Sequence, residues 1–217
     1  MIKAIFFDFD GTVSDAKKIA YDSVVRALND FDYKFDEKLL MGLMGIKMHK
    51  ILKGLGLDSS EVKTVRKRFY KYFIRGAKDG KIKPCVSLKP LWEMKEEGIP
   101  LIVVSNSQNN FLNASIKTLK IKGLFKKIYG SDKFSTKDDL LKKLFKKMKM
   151  KPSESIYVGD RFSDVAFARK AGCVAVAIHN KCAWSSLKLI KKEKPNYIIK
   201  DFRELKRIVK DLEKSEK

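Results

Sequence analysis

The sequence is poor in cysteine, in acidic residues relative to basic ones, and in long apolar runs. Each shortage excludes something. Three cysteines, Cys85, Cys173 and Cys182, stand far apart, an odd and scattered set that is not a disulfide framework. None lies in a Cys-x-x-Cys or Cys/His cluster of the kind that holds zinc. Cys173 opens the apolar run Cys173–Ile178, where a buried thiol packing as a small hydrophobe is the plain expectation. The longest apolar runs, around Ala4–Phe9 and Leu101–Val104, fall far short of the roughly 20 residues a membrane-spanning helix needs. Met1-Ile2-Lys3 leads into a short apolar run ending in acids, without a signal-peptide cleavage pattern, so a cytoplasmic protein is expected. No Gly-x-x-x-x-Gly-Lys-Ser/Thr or Gly-x-Gly-x-x-Gly run occurs, which removes the common nucleotide-binding loops.

What is abundant is lysine. Against 26 Asp+Glu stand 48 Lys+Arg, a formal charge of +22 over 217 residues, and such a field draws in anionic substrates and polyanions. The lysines are spread along the whole chain, however, and no nucleic-acid-binding module accompanies them. In the densest stretch, Lys142–Lys149, the stripe Leu140, Leu141, Leu144, Phe145 and Met148 reads as the buried face of a helix whose lysines are its solvated face. Nucleic acid is therefore a possible partner but not the favoured one.

Hydrophobic residues make up 44%, enough for a packed interior. Five continuous apolar runs, Ile2–Phe9, Ile99–Val104, Ile156–Val158, Cys173–Ile178 and Tyr197–Ile199, read as strands covered on both faces. Helical patterns at Pro90–Glu97, Asn109–Leu119, Asp138–Met148 and Ser163–Ala171 alternate with them, which predicts an α/β fold with a doubly wound parallel sheet. From Ser14 to about Pro84 no convincing strand occurs; apolar residues recur instead at helical spacing over Ala16–Phe31, Asp36–Leu55 and Ser60–Ala77. A connection of about 70 residues is too long for an ordinary βα loop, so an inserted all-helical domain is expected. The expected division is 1–14 and 85–217 for the core and 15–84 for the insertion.

Acids cluster where strands end, the edge at which open α/β sheets bind ligands. In Phe7-Asp8-Phe9-Asp10-Gly11-Thr12, Asp8 and Asp10 project from one side of a strand, a costly crowding of like charges unless a cation sits there. Val104-Ser105-Asn106-Ser107 ends the second strand in small polar groups, a weak signal by itself. In Gly159-Asp160-Arg161-Phe162-Ser163-Asp164 two acids on a strand-to-helix turn suit a magnesium ion as hard oxygen ligands, though Asp164 or Ser163 equally suits a helix cap. Lys137, in Ser135-Thr136-Lys137-Asp138, places a cation against the dipole at a helix start, which suggests another purpose; Lys133 is the alternative.

Taken in order, Asp8-Phe9-Asp10-Gly11-Thr12, Ser105, Lys137 and Gly159-Asp160…Asp164 resemble the four motifs of the haloacid dehalogenase-like superfamily, in its phosphoglycolate phosphatase and β-phosphoglucomutase branch. The resemblance extends over nearly the whole chain, including Asn196–Ile199 and Phe202–Leu205 near its end. It implies a Rossmann-like core, a helical cap, Mg2+ and a small phosphorylated metabolite as substrate. In the implied roles Asp8 is the nucleophile and Asp10 the general acid and base. Ser105, Asn106, Gly11, Thr12 and Lys137 hold the phosphate, and Asp8, Asp10, Asp160 and Asp164 hold the metal. An acid two residues after the nucleophile favours phosphoryl transfer over dehalogenation, because an alkoxide needs a proton on departure and a halide does not. From the cap, Lys47 or His49 could meet the leaving group or the phosphate, with a place on an ordinary helix surface as the favoured alternative. The branch includes phosphosugar mutases, and the positive charge allows a polynucleotide-end phosphatase or RNA-associated protein; both are alternative readings, as are a monomer and a homodimer. One departure is Lys83-Pro84-Cys85-Val86, which stands where relatives usually have a Pro-Gly turn at the hinge.

Overall fold

The continuous apolar runs become the centre of one sheet. A computed structural model describes residues 1–214. In chain order it contains β1 (Ala4–Phe7), β2 (Ser14–Asp15), α1 (Lys17–Asn29), α2 (Glu37–Leu43), α3 (Met48–Gly54), α4 (Ser59–Lys78) and β3 (Lys83–Pro84). There follow α5 (Lys89–Glu96), β4 (Leu101–Val104), α6 (Asn109–Thr118), β5 (Lys127–Tyr129), α7 (Lys137–Lys147) and β6 (Ser155–Gly159). The rest is α8 (Phe162–Ala171), β7 (Val174–Ile178), α9 (Leu187–Lys192), β8 (Tyr197–Ile199) and α10 (Phe202–Lys214). Six strands pair in the order β5-β4-β1-β6-β7-β8, all parallel. This is the predicted α/β class, a Rossmann-like sheet wound on both faces.

Side chains of β1 alternate between two apolar layers, as the two-residue repeat of a strand requires. Ile5 and Phe7 join one core with Leu91 of α5, Phe111 of α6 and Phe202 of α10. Ala4 and Phe6 face Leu141 of α7, Val165 of α8 and Ile190 of α9. Because both faces are covered, no position on β1 can be polar, and all four of its residues are buried.

The predicted sheet lacked a strand. β5 pairs with β4 at the sheet edge, but its three residues are exposed or half-buried, so they give no apolar run. The region from Ser14 to Pro84 does contain strand, contrary to expectation: β2 and β3 form a two-residue antiparallel ladder, Ser14 opposite Pro84 and Asp15 opposite Lys83. Cys85 extends that contact by donating its N–H to the Val13 carbonyl at 3.0 Å, so the segment with the unusual sequence at the hinge is tied down by backbone pairing.

Between these strands lie α1 to α4. Asp58 caps α4, accepting from the N–H groups of Ser60 and Glu61 while Glu61 reaches back to the Asp58 N–H. The helix expected over Asp36–Leu55 is instead two, α2 and α3, broken at Met44–Lys47. Gly45 adopts φ +90°, and a Cβ there would collide with the Arg161 guanidinium, so the loop needs glycine both for its backbone and for this close approach. On its apolar side α4 packs against α6, where the rings of Phe73 and Phe111 stack with centroids 3.6 Å apart. Among the described residues no helix is long and apolar enough to cross a membrane.

Candidate active site

Register brings the strand-end residues together. Phe7 lies opposite Val103 of β4 on one side and Val158 of β6 on the other. Just beyond those pairs the three central strands release Asp8, Ser105 and Asp160 at one edge. The Asp8 N–H donates to the Val158 carbonyl at 2.8 Å, which keeps Asp8 aligned with β6. The chain then turns sharply, the Phe9 carbonyl accepting from the N–H groups of Val13 and Ser14, both at 2.9 Å. Gly11 makes the turn possible: its φ is +89°, and a Cβ would lie 2.5 Å from an Asp160 oxygen.

Asp8, Asp160 and Asp164 are buried, each with a carboxylate oxygen within 4.8 Å of the others. Lys137, at the first turn of α7, reaches into the group with only 1% of its surface exposed. Its ammonium donates to Asp164 Oδ1 at 2.7 Å and to the Tyr157 hydroxyl at 2.8 Å, and lies 3.1 Å from Asp8 Oδ1. Tyr157 in turn donates to the Val104 carbonyl at 3.0 Å. Burial alone would discharge the lysine, but the two carboxylates outweigh it and hold its pKa above the usual value. The unfavourable position of Lys137 at a helix start is offset by Asp138 and Asp139 in the same turn. Asp138 forms its own pair with Lys170, at 2.9 Å.

Asp164 takes part in the start of α8 without being its N-cap. The N-cap of α8 is Arg161, and Asp164 Oδ2 accepts the Arg161 N–H at 3.1 Å, while the other oxygen meets Lys137. Asp160 is fixed by the Thr12 hydroxyl at 3.1 Å and by the Trp184 N–H at 2.7 Å. Thr12, expected at the phosphate, thus spends its hydroxyl on a carboxylate. Asp10 accepts from the Ser107 hydroxyl at 2.5 Å. Burial raises the Asp10 pKa to about 7, opposed by the Ser107 hydrogen bond. Burial likewise raises Asp8, against the pull of Lys137, and drives Asp160 well above the carboxylate range.

These residues fit a divalent cation. Three carboxyl groups crowd one ammonium in a dry site where burial penalises their charged forms, a cost a cation would remove, and Asp10 Oδ1 is buried without a hydrogen-bond partner. Hard oxygen donors of that number and charge suit magnesium.

Next to the acids is a cavity lined on one side by Asp8, Asp10, Ser105, Asn106 and Ser107, and on the other by residues of α1, α3, α4 and the Met44–Ile46 loop. Lys47 and His49 do not line it. Lys47 extends instead to the carbonyls of Phe134 and Ser135, at 2.7 and 2.9 Å, because the break at Gly45 turns it toward the loop before α7. His49 is half-buried on α3, its protonation disfavoured first by burial and then by Arg66 and Lys47. Lys133 lies 3.7 Å from the neighbouring Asp132, with which it makes an ion pair. Sequence reasoning missed Tyr157, Ser107 and Trp184. Ser107 stood inside the quoted strand-end run, whereas Tyr157 reads only as another apolar residue of β6.

A parallel sheet wound on both faces, with its acids gathered where the central strands end, defines a Rossmann-like α/β core with a carboxylate-rich site at its edge. The chain belongs to the haloacid dehalogenase-like hydrolase family, whose pattern matches residues 5–178. It is 30% identical to the candidate pyrophosphatase PpaX of Caldanaerobacter subterraneus subsp. tengcongensis, over 99% of this chain and 98% of that protein. It is 26% identical to a phosphoglycolate phosphatase of Mannheimia succiniciproducens, over 95% of this chain and 98% of the relative. The fold matches the crystal structure of a hydrolase from Pseudomonas syringae with a TM-score of 0.83 at 16% identity, covering 97% of this chain and 99% of that one.

Proposed function

We propose that the chain is a magnesium-dependent phosphatase acting on a small phosphomonoester, with Asp8 as nucleophile. The observation that carries this reading is the packing of Asp8, Asp160 and Asp164 around Lys137 at the sheet edge, with Asp10 and Ser107 immediately beside them. A buried carboxylate group of this charge has little structural use, since replacing buried ions by apolar residues is often neutral or stabilising.

In the first step an Asp8 oxygen attacks phosphorus as the bond to the ester oxygen breaks, giving an aspartyl-phosphate. Asp10 donates its proton to the departing oxygen; a pKa near 7 keeps that proton available at neutral pH. In the second step Asp10, now a base, takes a proton from the water that attacks phosphorus, and Asp8 and inorganic phosphate are released. Ser105 and Asn106, at the end of β4, donate to phosphoryl oxygens, and Lys137 supplies positive charge beside Asp8. Asp8, Asp160 and Asp164, with the Asp10 carbonyl, would hold magnesium. When bound, it offsets the repulsion between the Asp8 carboxylate and the phosphate. The segment 15–84 acts as the cap over residues 1–14 and 85–217, excluding bulk water.

The test is hydrolysis of p-nitrophenyl phosphate and a panel of small phosphomonoesters by wild type and Asp8→Asn, with magnesium and with EDTA. Turnover that needs both Asp8 and magnesium is expected. Turnover that survives Asp8→Asn in clean protein overturns the mechanism.

A further inference from the structure

The cavity has a charged floor and an apolar roof. Its roof is made by Met44, Ile46, Met48, Ile51, Phe69 and Phe73. The polar exception there, Tyr70, has its hydroxyl engaged by Ser131. Among the described residues no lysine, arginine or histidine lines this space, in a chain that carries 48 Lys+Arg. The cations nearest it lie outside its lining, although the Arg161 Nε is buried without a hydrogen-bond partner. Lys47 donates to the carbonyls of Phe134 and Ser135, and the Arg161 guanidinium donates to the Met44 carbonyl at 2.5 Å. Lys137 is held among Asp8, Asp164 and Tyr157.

We infer that the substituent on the ester oxygen is uncharged and largely apolar. The inference rests on the phosphatase reading above and narrows its substrate. With the phosphoryl group at Asp8, the ester substituent meets the roof, which has to lift to admit it because the cavity measures about 50 Å³. A carboxylate or second phosphate there would lose its water and find no lysine, arginine or histidine in the lining to pair with. An apolar substituent loses no hydrogen bonds and gains contact with the methionine, isoleucine and phenylalanine side chains. The roof thus selects by omission. This separates the chain from the activities named for its relatives, because phosphoglycolate and pyrophosphate both carry a second anionic group on the leaving side.

The experiment compares benzyl phosphate with 2-phosphoglycolate and pyrophosphate, using the full chain with magnesium. Benzyl alcohol and glycolate are both alkoxide leaving groups, so their difference reports the pocket more than intrinsic reactivity. The expected kcat/KM for benzyl phosphate exceeds that for 2-phosphoglycolate by at least about tenfold. Ile46→Lys, in the loop between α2 and α3, is expected to shift that ratio toward 2-phosphoglycolate by about tenfold. Equal or faster hydrolysis of 2-phosphoglycolate or pyrophosphate by wild type overturns the inference. Binding separates this from the mechanism: by calorimetry, benzylphosphonate is expected to bind at least about tenfold tighter than phosphonoacetate. If that order holds while no ester is hydrolysed, the phosphatase reading fails and the apolar subsite stands. If phosphonoacetate binds as well or better, or neither binds, the subsite is wrong whatever the enzyme hydrolyses.

Discussion

The floor and the roof of the cavity are made of opposite materials. The floor presents Asp8, Asp10 and Ser105 to the cavity and buries Lys137, Asp160 and Asp164 behind them, every one except Asp10 nearly inaccessible to solvent. The roof is helical and apolar, and most of its residues also belong to the main hydrophobic core. The floor gives up stability for chemistry, holding crowded buried acids and an Asp10 oxygen without a hydrogen-bond partner that folding alone would not choose. The roof has no such conflict: packing and ligand contact ask for the same side chains.

The largest effect that would sharpen this contrast is kinetic. Asp10→Asn keeps the shape of the floor but removes its transferable proton, and kcat on an alkyl phosphate should fall by about 10²–10⁴-fold. A rate near wild type removes Asp10 from proton transfer. Next is Lys137→Met, which leaves Asp8 and Asp164 facing each other without their cation. Denaturant unfolding without metal should show a loss of about 3–5 kcal/mol, as for one partner removed from a buried ion pair. A loss below about 1 kcal/mol would mean the acids are protonated or hydrated instead of paired.

Metal should then act mainly on the floor, with a definite pH sign. In the metal-free protein Asp8, Asp10 and Asp160 all have pKa values raised by burial. The folded state therefore keeps protons that the unfolded chain releases near pH 4, and stability falls as pH rises from there toward about 7. Magnesium at about a hundred times its Kd should raise Tm by about 5–10 °C, more at pH 8 than at pH 5. An equal shift at both pH values would place the ion elsewhere. The smallest effect belongs to the roof. Phe73→Leu removes the stack on Phe111 and should cost about 0.5–1.5 kcal/mol while leaving the Asp10 titration by carboxyl NMR unmoved.

The same contrast governs how much the sequence reveals. The acids of the floor stand in short runs at the ends of apolar strands, where packing gives no reason for them, so Asp8, Asp10, Asp160 and Asp164 are conspicuous. The strands that carry them are legible because a sheet covered on both faces demands unbroken apolar runs. The edge strand β5 was not, since half-exposed residues such as Ile128 and Tyr129 leave no such run. The roof is hidden for the reason that makes it stable: Met48, Ile51, Phe69 and Phe73 recur at the spacing of any buried helix face. The direction Lys47 takes is not legible in its sequence neighbours. Only the φ of Gly45 reveals that the chain breaks there and carries the lysine to the carbonyls of Phe134 and Ser135. Tyr157 shows the converse, a phenol whose hydroxyl contacts the buried lysine yet whose ring is indistinguishable from its neighbours in β6.

The two-residue ladder between β2 and β3 has a consequence for how the work of the molecule is divided. Antiparallel partners stand only about 5 Å apart, so the chain leaves the sheet domain and returns to it at nearly the same point. Everything from α1 to α4 hangs from that doorway as a loop whose two feet touch. In the function proposed above, the reaction therefore belongs to the sheet and contact with the ester substituent to the helices of that loop.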